Sequence, residues 1–157
     1  MKKKNQILIF FMALLFPATA TAYTFEVDGI YYYIDGNEAI VTCNYETEVE
    51  EGYFNSYSGE VTIPPSVTYD GMIYPVTTID GCAFYGCSGL TSVTIPNSVT
   101  TIDGGAFFYC SGLTSVTIPN SVTTIDDRTF YGCSGLTSVT IPNSVTIIRY
   151  QAFEGCI

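Results

Sequence analysis

The residues that could do chemistry in this chain recur at a fixed interval of 23 positions. Among the ionisable residues, aspartate and cysteine keep this interval: Asp80, Asp103 and Asp126, and Cys87, Cys110, Cys133 and Cys156. Histidine is absent from all 157 residues, which excludes Ser–His and Cys–His nucleophile pairs. No glycine-rich phosphate loop precedes a helix pattern, and no polar cluster could form a catalytic site. We therefore expect neither enzymatic activity nor a cofactor.

The aspartates would form a column if successive copies of the sequence stack. A column of carboxylates is a conceivable calcium site, but calcium requires about six to eight oxygen ligands. One carboxylate per copy is a sparse supply, so we favour a solvated acidic turn and predict no metal site. In that case Arg149, at the fourth equivalent position, relieves the repulsion from Asp126.

The cysteines allow two alternatives. Equivalent residues on stacked copies lie roughly 4.8 Å apart, within the Cα–Cα range of a disulfide, but with side chains that point in parallel. That geometry favours buried thiols, which pack as small hydrophobic groups, over disulfides between copies. Cys43 and Cys82 stand outside the periodic set, so a Cys82–Cys87 bond or a bond to Cys43 remains open.

Serine and threonine provide the candidate ligand-binding residues within the copies. The candidates are Thr91, Ser92, Thr94, Ser115, Thr117, Ser138 and Thr140, with Tyr69 and Tyr74 as anchors outside the regular copies. Threonine is a common strand surface residue, which is the simpler interpretation of these positions. The functional alternative is a flat hydroxyl array that binds glycans or, less plausibly, ice. Tyrosine is added because binding hot spots are usually aromatic or arginine.

The elements that must position these residues follow from apolar spacing. In the copy from Cys87, Val93 and Ile95 alternate with Thr94, which predicts a short strand, and Pro96 ends it. Val99 to Ile102 forms a second extended piece after a Pro-Asn-Ser turn. A single copy cannot bury its apolar side alone, so copies must stack into a continuous core. The predicted fold is mainly β, a solenoid of 23-residue copies, each termed a pass.

The N-terminal residues predict export. Three lysines, an apolar run from Ile7 to Phe16 and the sequence Ala20-Thr21-Ala22 form a signal peptide, residues 1–22, cleaved after Ala22. Beyond it only two basic residues stand against 15 acidic ones, which disfavours nucleic acid and anionic membranes as partners. No second membrane-length apolar stretch follows. We expect a secreted or cell-surface protein.

The remaining residues divide into two predicted regions. Residues 23–57 form an N-terminal β-hairpin cap, with a turn at Asp35-Gly36-Asn37, that covers the open end of the solenoid. Residues 58–157 form the repeats: 58–86 degenerate with an insertion, then 87–109, 110–132 and 133–155, and a stub at 156–157. The insertion adds nine residues, which include Tyr69 to Tyr74, and predicts a small hairpin.

The pass reads Leu-Thr-Ser-Val-Thr-Ile-Pro-Asn-Ser-Val-Thr-x-Ile-x-x-x-Ala-Phe-x-x-Cys. This pattern, over about residues 58–157, resembles the BspA-like leucine-rich repeat family of bacterial surface proteins. The resemblance implies a curved parallel solenoid exported to the cell surface or beyond, with a role in adhesion. We therefore expect a non-catalytic module that binds a host or cell-surface protein or glycan. The alternative is a truncated structural segment that self-associates through an uncapped C-terminal pass, because the last pass stops at Cys156-Ile157 without a recognisable cap or anchor.

Overall fold

The computed structural model describes residues 24–43 and 57–156, and the predicted leader therefore lies outside the described residues. Within them the protein consists of strands and turns without a helix, which confirms the mainly-β prediction. No helix in this part of the chain is long and apolar enough to cross a membrane. The strands are β1 Phe25–Val27, β2 Ile30–Asp35, β3 Glu38–Thr42, β4 Gly59–Thr62, β5 Ser66–Tyr69, β6 Met72–Ile79, β7 Leu90–Thr94, β8 Thr101–Ile102, β9 Ser115–Thr117, β10 Thr124–Ile125, β11 Ser138–Thr140 and β12 Ile147–Ile148.

The N-terminal strands form an antiparallel meander that joins the repeats edge to edge. β1 pairs with β2 and β2 with β3, and β3 then pairs in parallel with β6. The β1–β2 turn uses Asp28 and Gly29, both with positive φ, as two-residue hairpin turns require. A disulfide between Cys43 and Cys82, with Cα atoms 5.7 Å apart, ties the end of this meander to the turn after β6.

The predicted insertion hairpin is present as β5 and β6, with Tyr69 opposite Met72 across an Asp70-Gly71 turn. Its second strand does not end at the hairpin. β6 continues to Ile79 and pairs in parallel with β8, where Ile79 aligns with Ile102. The insertion is therefore continuous with the repeat strand.

Successive passes stack in parallel and in register. The principal sheet has the order β11-β9-β7-β4, and equivalent residues are direct partners: Ser92 with Ser115, and Ser115 with Ser138. The second extended pieces form their own short ladders, β6 with β8 and β10 with β12. Parallel pairing of identical sequence places identical side chains on top of one another.

The apolar sides of the passes 87–109 and 110–132 face the core. All seven inward positions predicted for pass 87–109 are buried: Leu90, Val93, Ile95, Val99, Ile102, Ala106 and Phe107. Four phenylalanines form a continuous stack: Phe84, Phe107, Phe130 and Phe153, with ring centroids 5.0, 5.2 and 5.3 Å apart. These spacings match the separation of adjacent strands, so the aromatic stack follows from the backbone repeat.

The periodic cysteines remain thiols, as favoured from the sequence, and no disulfide joins one pass to another in the described chain. Three thiols donate to the carbonyl oxygen of a phenylalanine 26 residues earlier: Cys110 to Phe84 (2.9 Å), Cys133 to Phe107 (3.1 Å) and Cys156 to Phe130 (3.2 Å). Burial raises the pKa of Cys87 to about 12, because a thiolate is poorly solvated there. The cysteine column is thus a packing and hydrogen-bonding feature.

Candidate ligand-binding face

The outward side of β4, β7, β9 and β11, termed the strand face, carries the predicted hydroxyl columns. The threonine column is exposed along its length, at Thr94, Thr117 and Thr140. In the parallel serine column Ser115 and Ser138 are exposed and Ser92 is half-buried. The sequence alternation that buries Val93 and Val116 is therefore the same alternation that presents these hydroxyls to solvent.

The hydroxyl columns differ in whether their hydrogen-bonding groups are already used. Thr114 and Thr137 each donate their hydroxyl to the carbonyl oxygen 23 residues earlier, at Thr91 and Thr114, over 3.2 Å. Thr91 begins that column and is exposed. By contrast, no hydroxyl of the column from Thr94 to Thr140 bonds to another residue in the described ranges. The donors of this column are therefore available to a ligand.

A groove of about 370 Å³ borders the strand face where the strands end. Proline terminates each strand, since it has no amide hydrogen for the next rung of the ladder, and the chain turns at the following asparagine. Thr94 and Asn97 line the groove from one pass, and Thr117 and Asn120 line it from the next. Asn97, Asn120 and Asn143 are all exposed, so amides and hydroxyls face solvent side by side. The sequence did not predict this groove, although the asparagines share the 23-residue interval.

A larger cavity, of about 640 Å³, lies between the N-terminal meander and β4. Its lining includes Asp28, Tyr57 and Glu60 together with apolar side chains and backbone. Two carboxylates without a positive partner among these lining residues would repel an anion and provide no nucleophile–base pair. We therefore place the candidate site on the strand face.

The two predicted tyrosine anchors occupy different environments. Tyr69 is 37% exposed, and one side of its ring stacks on Phe25 at a centroid distance of 4.5 Å. Tyr74 is only 8% exposed and packs into the core opposite Val67. Tyr74 therefore offers little surface to a ligand, because the pleat of β6 directs it inward. Neither tyrosine lines the groove beside Thr94.

The three aspartates lie in a column, but their partners differ. Asp80 accepts hydrogen bonds from the Gly81 amide and the Thr42 hydroxyl, at 2.7 and 3.1 Å. Asp126 pairs with Arg149 at 2.8 Å, as predicted. Burial, together with the charges of the two neighbouring aspartates, raises the pKa of Asp103. Among the described residues, no group of three or more histidine, cysteine or acidic side chains is arranged to hold a metal ion.

Stacked parallel passes with leucine, valine and isoleucine inward define a leucine-rich repeat protein. The model of the BspA type leucine-rich repeat region matches residues 72–157 in six copies, and the chain belongs to this family. The resemblance seen in the sequence is thereby confirmed.

Solved structures agree with this assignment. A leucine-rich repeat protein from Bacteroides ovatus is 35% identical over 85% of this chain and 33% of its own length, with a TM-score of 0.74. One from Bacteroides capillosus is 32% identical over 80% of this chain and 86% of its own, with a TM-score of 0.67. The leucine-rich repeat protein of T. pallidum, 24% identical over 84% of this chain and 67% of its own with a TM-score of 0.59, shares the fold. This chain thus spans about a third of the Bacteroides ovatus protein. Among curated proteins, none matches the chain significantly.

Proposed function

We propose that this chain is an exported, non-catalytic binding module that holds a protein or glycan ligand on its strand face. The observation that carries the proposal is the column of exposed hydroxyls at Thr94, Thr117 and Thr140, beside a groove lined by Asn97 and Asn120. These groups donate and accept hydrogen bonds and have no partner within the described residues. A ligand with regularly spaced polar groups would find one matching contact on every pass, and several weak contacts would add up to useful affinity.

Two observations support export. The residues before Tyr23 have the charge, apolar run and small-residue ending of a secretory leader. The disulfide between Cys43 and Cys82 is of the kind that forms and persists in oxidising compartments. A location outside the cytoplasm or on the cell surface would place the strand face where extracellular proteins and glycans are encountered.

The test is binding of the secreted chain to immobilised extracellular-matrix proteins and to a glycan array. Thr94→Gln with Thr117→Gln would fill the groove with longer neutral side chains, and retention should fall by about tenfold, the effect of losing roughly 1.4 kcal/mol. Thr101→Gln with Thr123→Gln, at exposed threonines outside the strand face, provides the matched control and should leave retention unchanged. Equal losses in both variants, or no retention on a broad panel, would refute the proposal.

A further inference from the structure

A second aromatic column lies beside the buried phenylalanine stack and reaches the surface. Tyr85, Phe108 and Tyr131 are half-buried and stack face to face, with centroids 5.1 and 4.9 Å apart. Both faces of Phe108 are thus covered by its neighbours. Phe108 can therefore present only its edge to anything outside the column.

Tyr109 departs from the repeat at the position that follows this column. In the other passes the equivalent residue is glycine: Gly86, Gly132 and Gly155, with φ of 71°, 70° and 78°. Tyr109 has the same left-handed backbone, with φ of 56°, which is costly for a residue with a Cβ. A tyrosine is therefore held in a conformation that the other three passes reserve for glycine. Such an outlier is a reason to look for a function.

The ring of Tyr109 lies flat across the edges of the column. It is nearly perpendicular to Phe108 and Tyr131, at 78° and 77°, with centroids 4.6 and 5.7 Å apart. Because the faces of Phe108 are occupied, its edge must contact a face of Tyr109. Gly132 makes room for this arrangement, since a Cβ built there would overlap Cδ1 and Cε1 of Tyr109. One face of the Tyr109 ring is covered, and the residue is 50% exposed.

We propose that the outer face of Tyr109 is a binding site for a neutral pyranose ring. A pyranose presents axial C–H groups that stack on an aromatic face, and hydroxyl groups that hydrogen-bond at its rim. The phenol hydroxyls of Tyr85, Tyr109 and Tyr131 have no partner among the described residues and are available for such bonds. Glu154 lies 23 residues after Tyr131, at the next position of the Tyr85, Phe108 and Tyr131 column, and is exposed. A carboxylate therefore also lies near the ring of Tyr109.

Charge distinguishes a neutral sugar from the other ligands that stack on tyrosine. The chain carries a formal charge of −10, and its two arginines are already engaged. Arg149 pairs with Asp126, and Arg128 bonds to Gln151 and lies over the ring of Tyr150. A nucleotide or a sulfated sugar would bring an anion without a free cation to receive it in this region. The site lies outside the strand face, so the inference does not depend on the proposed function.

Saturation-transfer NMR of the full chain with methyl glycosides of glucose, galactose, mannose and N-acetylglucosamine tests the proposal directly. At least one should show transfer strongest at its C–H protons. Tyr109→Gly, which restores the residue of the other passes, should weaken binding by at least about tenfold, as loss of an aromatic hot spot does. Tyr109→Phe should retain most of the binding because the ring remains.

Three controls show whether a loss of binding comes from the Tyr109 ring itself, from lower stability or from a ligand that binds the strand face. Tyr109→Gly should unfold at the same temperature as the parent or above it, since glycine relieves the backbone. Tyr150→Ala, which removes another exposed tyrosine, should leave binding unchanged, as should Thr94→Gln with Thr117→Gln. Absence of transfer to all four glycosides, or equal binding by Tyr109→Gly and the parent, would overturn the proposal.

Discussion

Removing one ring from the buried phenylalanine stack tests whether the passes are stabilised by their neighbours. Phe107 is completely buried and stacks on Phe84 and Phe130 at 5.0 and 5.2 Å. Truncation of such a residue to alanine costs about 3–5 kcal/mol, and the loss of two aromatic pairs, each worth roughly 0.5–1.5 kcal/mol beyond burial, places Phe107 at the upper end of that range. We expect Phe107→Ala to lower the free energy of unfolding by about 4–5 kcal/mol, a large share of the roughly 5–15 kcal/mol typical of a domain.

Phe153→Ala is the matched control, because it changes the same residue at the same position of a different pass. Phe153 is half-buried and, among the described residues, stacks on a single ring, that of Phe130, at 5.3 Å. Its truncation should cost about half as much, roughly 2 kcal/mol.

The assay is urea unfolding followed by far-ultraviolet circular dichroism, with both variants measured beside the parent. Equal costs for the two substitutions, or a larger cost for Phe153→Ala, would refute the reasoning that stacking on both sides determines the contribution of a ring. A reduced slope of the Phe107→Ala transition would show that the passes on either side have begun to unfold separately.

Three further results are expected. Cys43→Ser with Cys82→Ser should lower the free energy of unfolding by up to about 4 kcal/mol, because the bond closes a loop with a sequence separation of 39; an unchanged urea midpoint would contradict this. Because the pKa of Asp103 is raised, its carboxyl group binds a proton more tightly in the folded state than in the unfolded state. The stabilisation that this protonation provides is present below the ordinary carboxyl pKa and is lost as pH rises through the raised pKa. Asp103→Asn should therefore raise the thermal midpoint at neutral pH and leave it unchanged in acid, and a drop at neutral pH would be the contrary result. Iodoacetamide should label the native protein first at Cys156, which is half-buried, and should label Cys87, with its pKa raised to about 12, only on unfolding; mass spectrometry that finds Cys87 alkylated first would oppose this.

The interior of the passes could be predicted from the sequence because it depends on spacing alone. Leu90, Val93 and Ile95 repeat with identical neighbours, so a two-residue alternation and a 23-residue interval determine which side is buried. The exposure of Thr94 follows from the same alternation. Stacking of parallel strands then places its equivalents beside it without any further information.

Features that depend on distances between separate elements could not be predicted in this way. The sequence does not determine the partner of Cys43, since Cys82 lies 39 residues away and outside the periodic set. The inward direction of Tyr74 depends on the pleat of a strand that begins in the insertion, where no repeat fixes the register. The groove beside Asn97 forms between the Pro-Asn turns of two neighbouring passes, so it depends on a distance that the sequence of a single pass does not contain.

The bonds that hold one pass to the next have a consequence for how such a gene can change in length. The hydroxyl of Thr137 reaches the backbone carbonyl of Thr114 in pass 110–132, and the thiol of Cys133 reaches the backbone carbonyl of Phe107 in pass 87–109. Because every pass offers the same carbonyls, an in-frame duplication of 23 codons would bring its own attachment groups and find its acceptors already in place. Evolution could thereby lengthen the protein by whole units without compensating substitutions elsewhere, while the solvent-facing residues of each unit remain free to diverge.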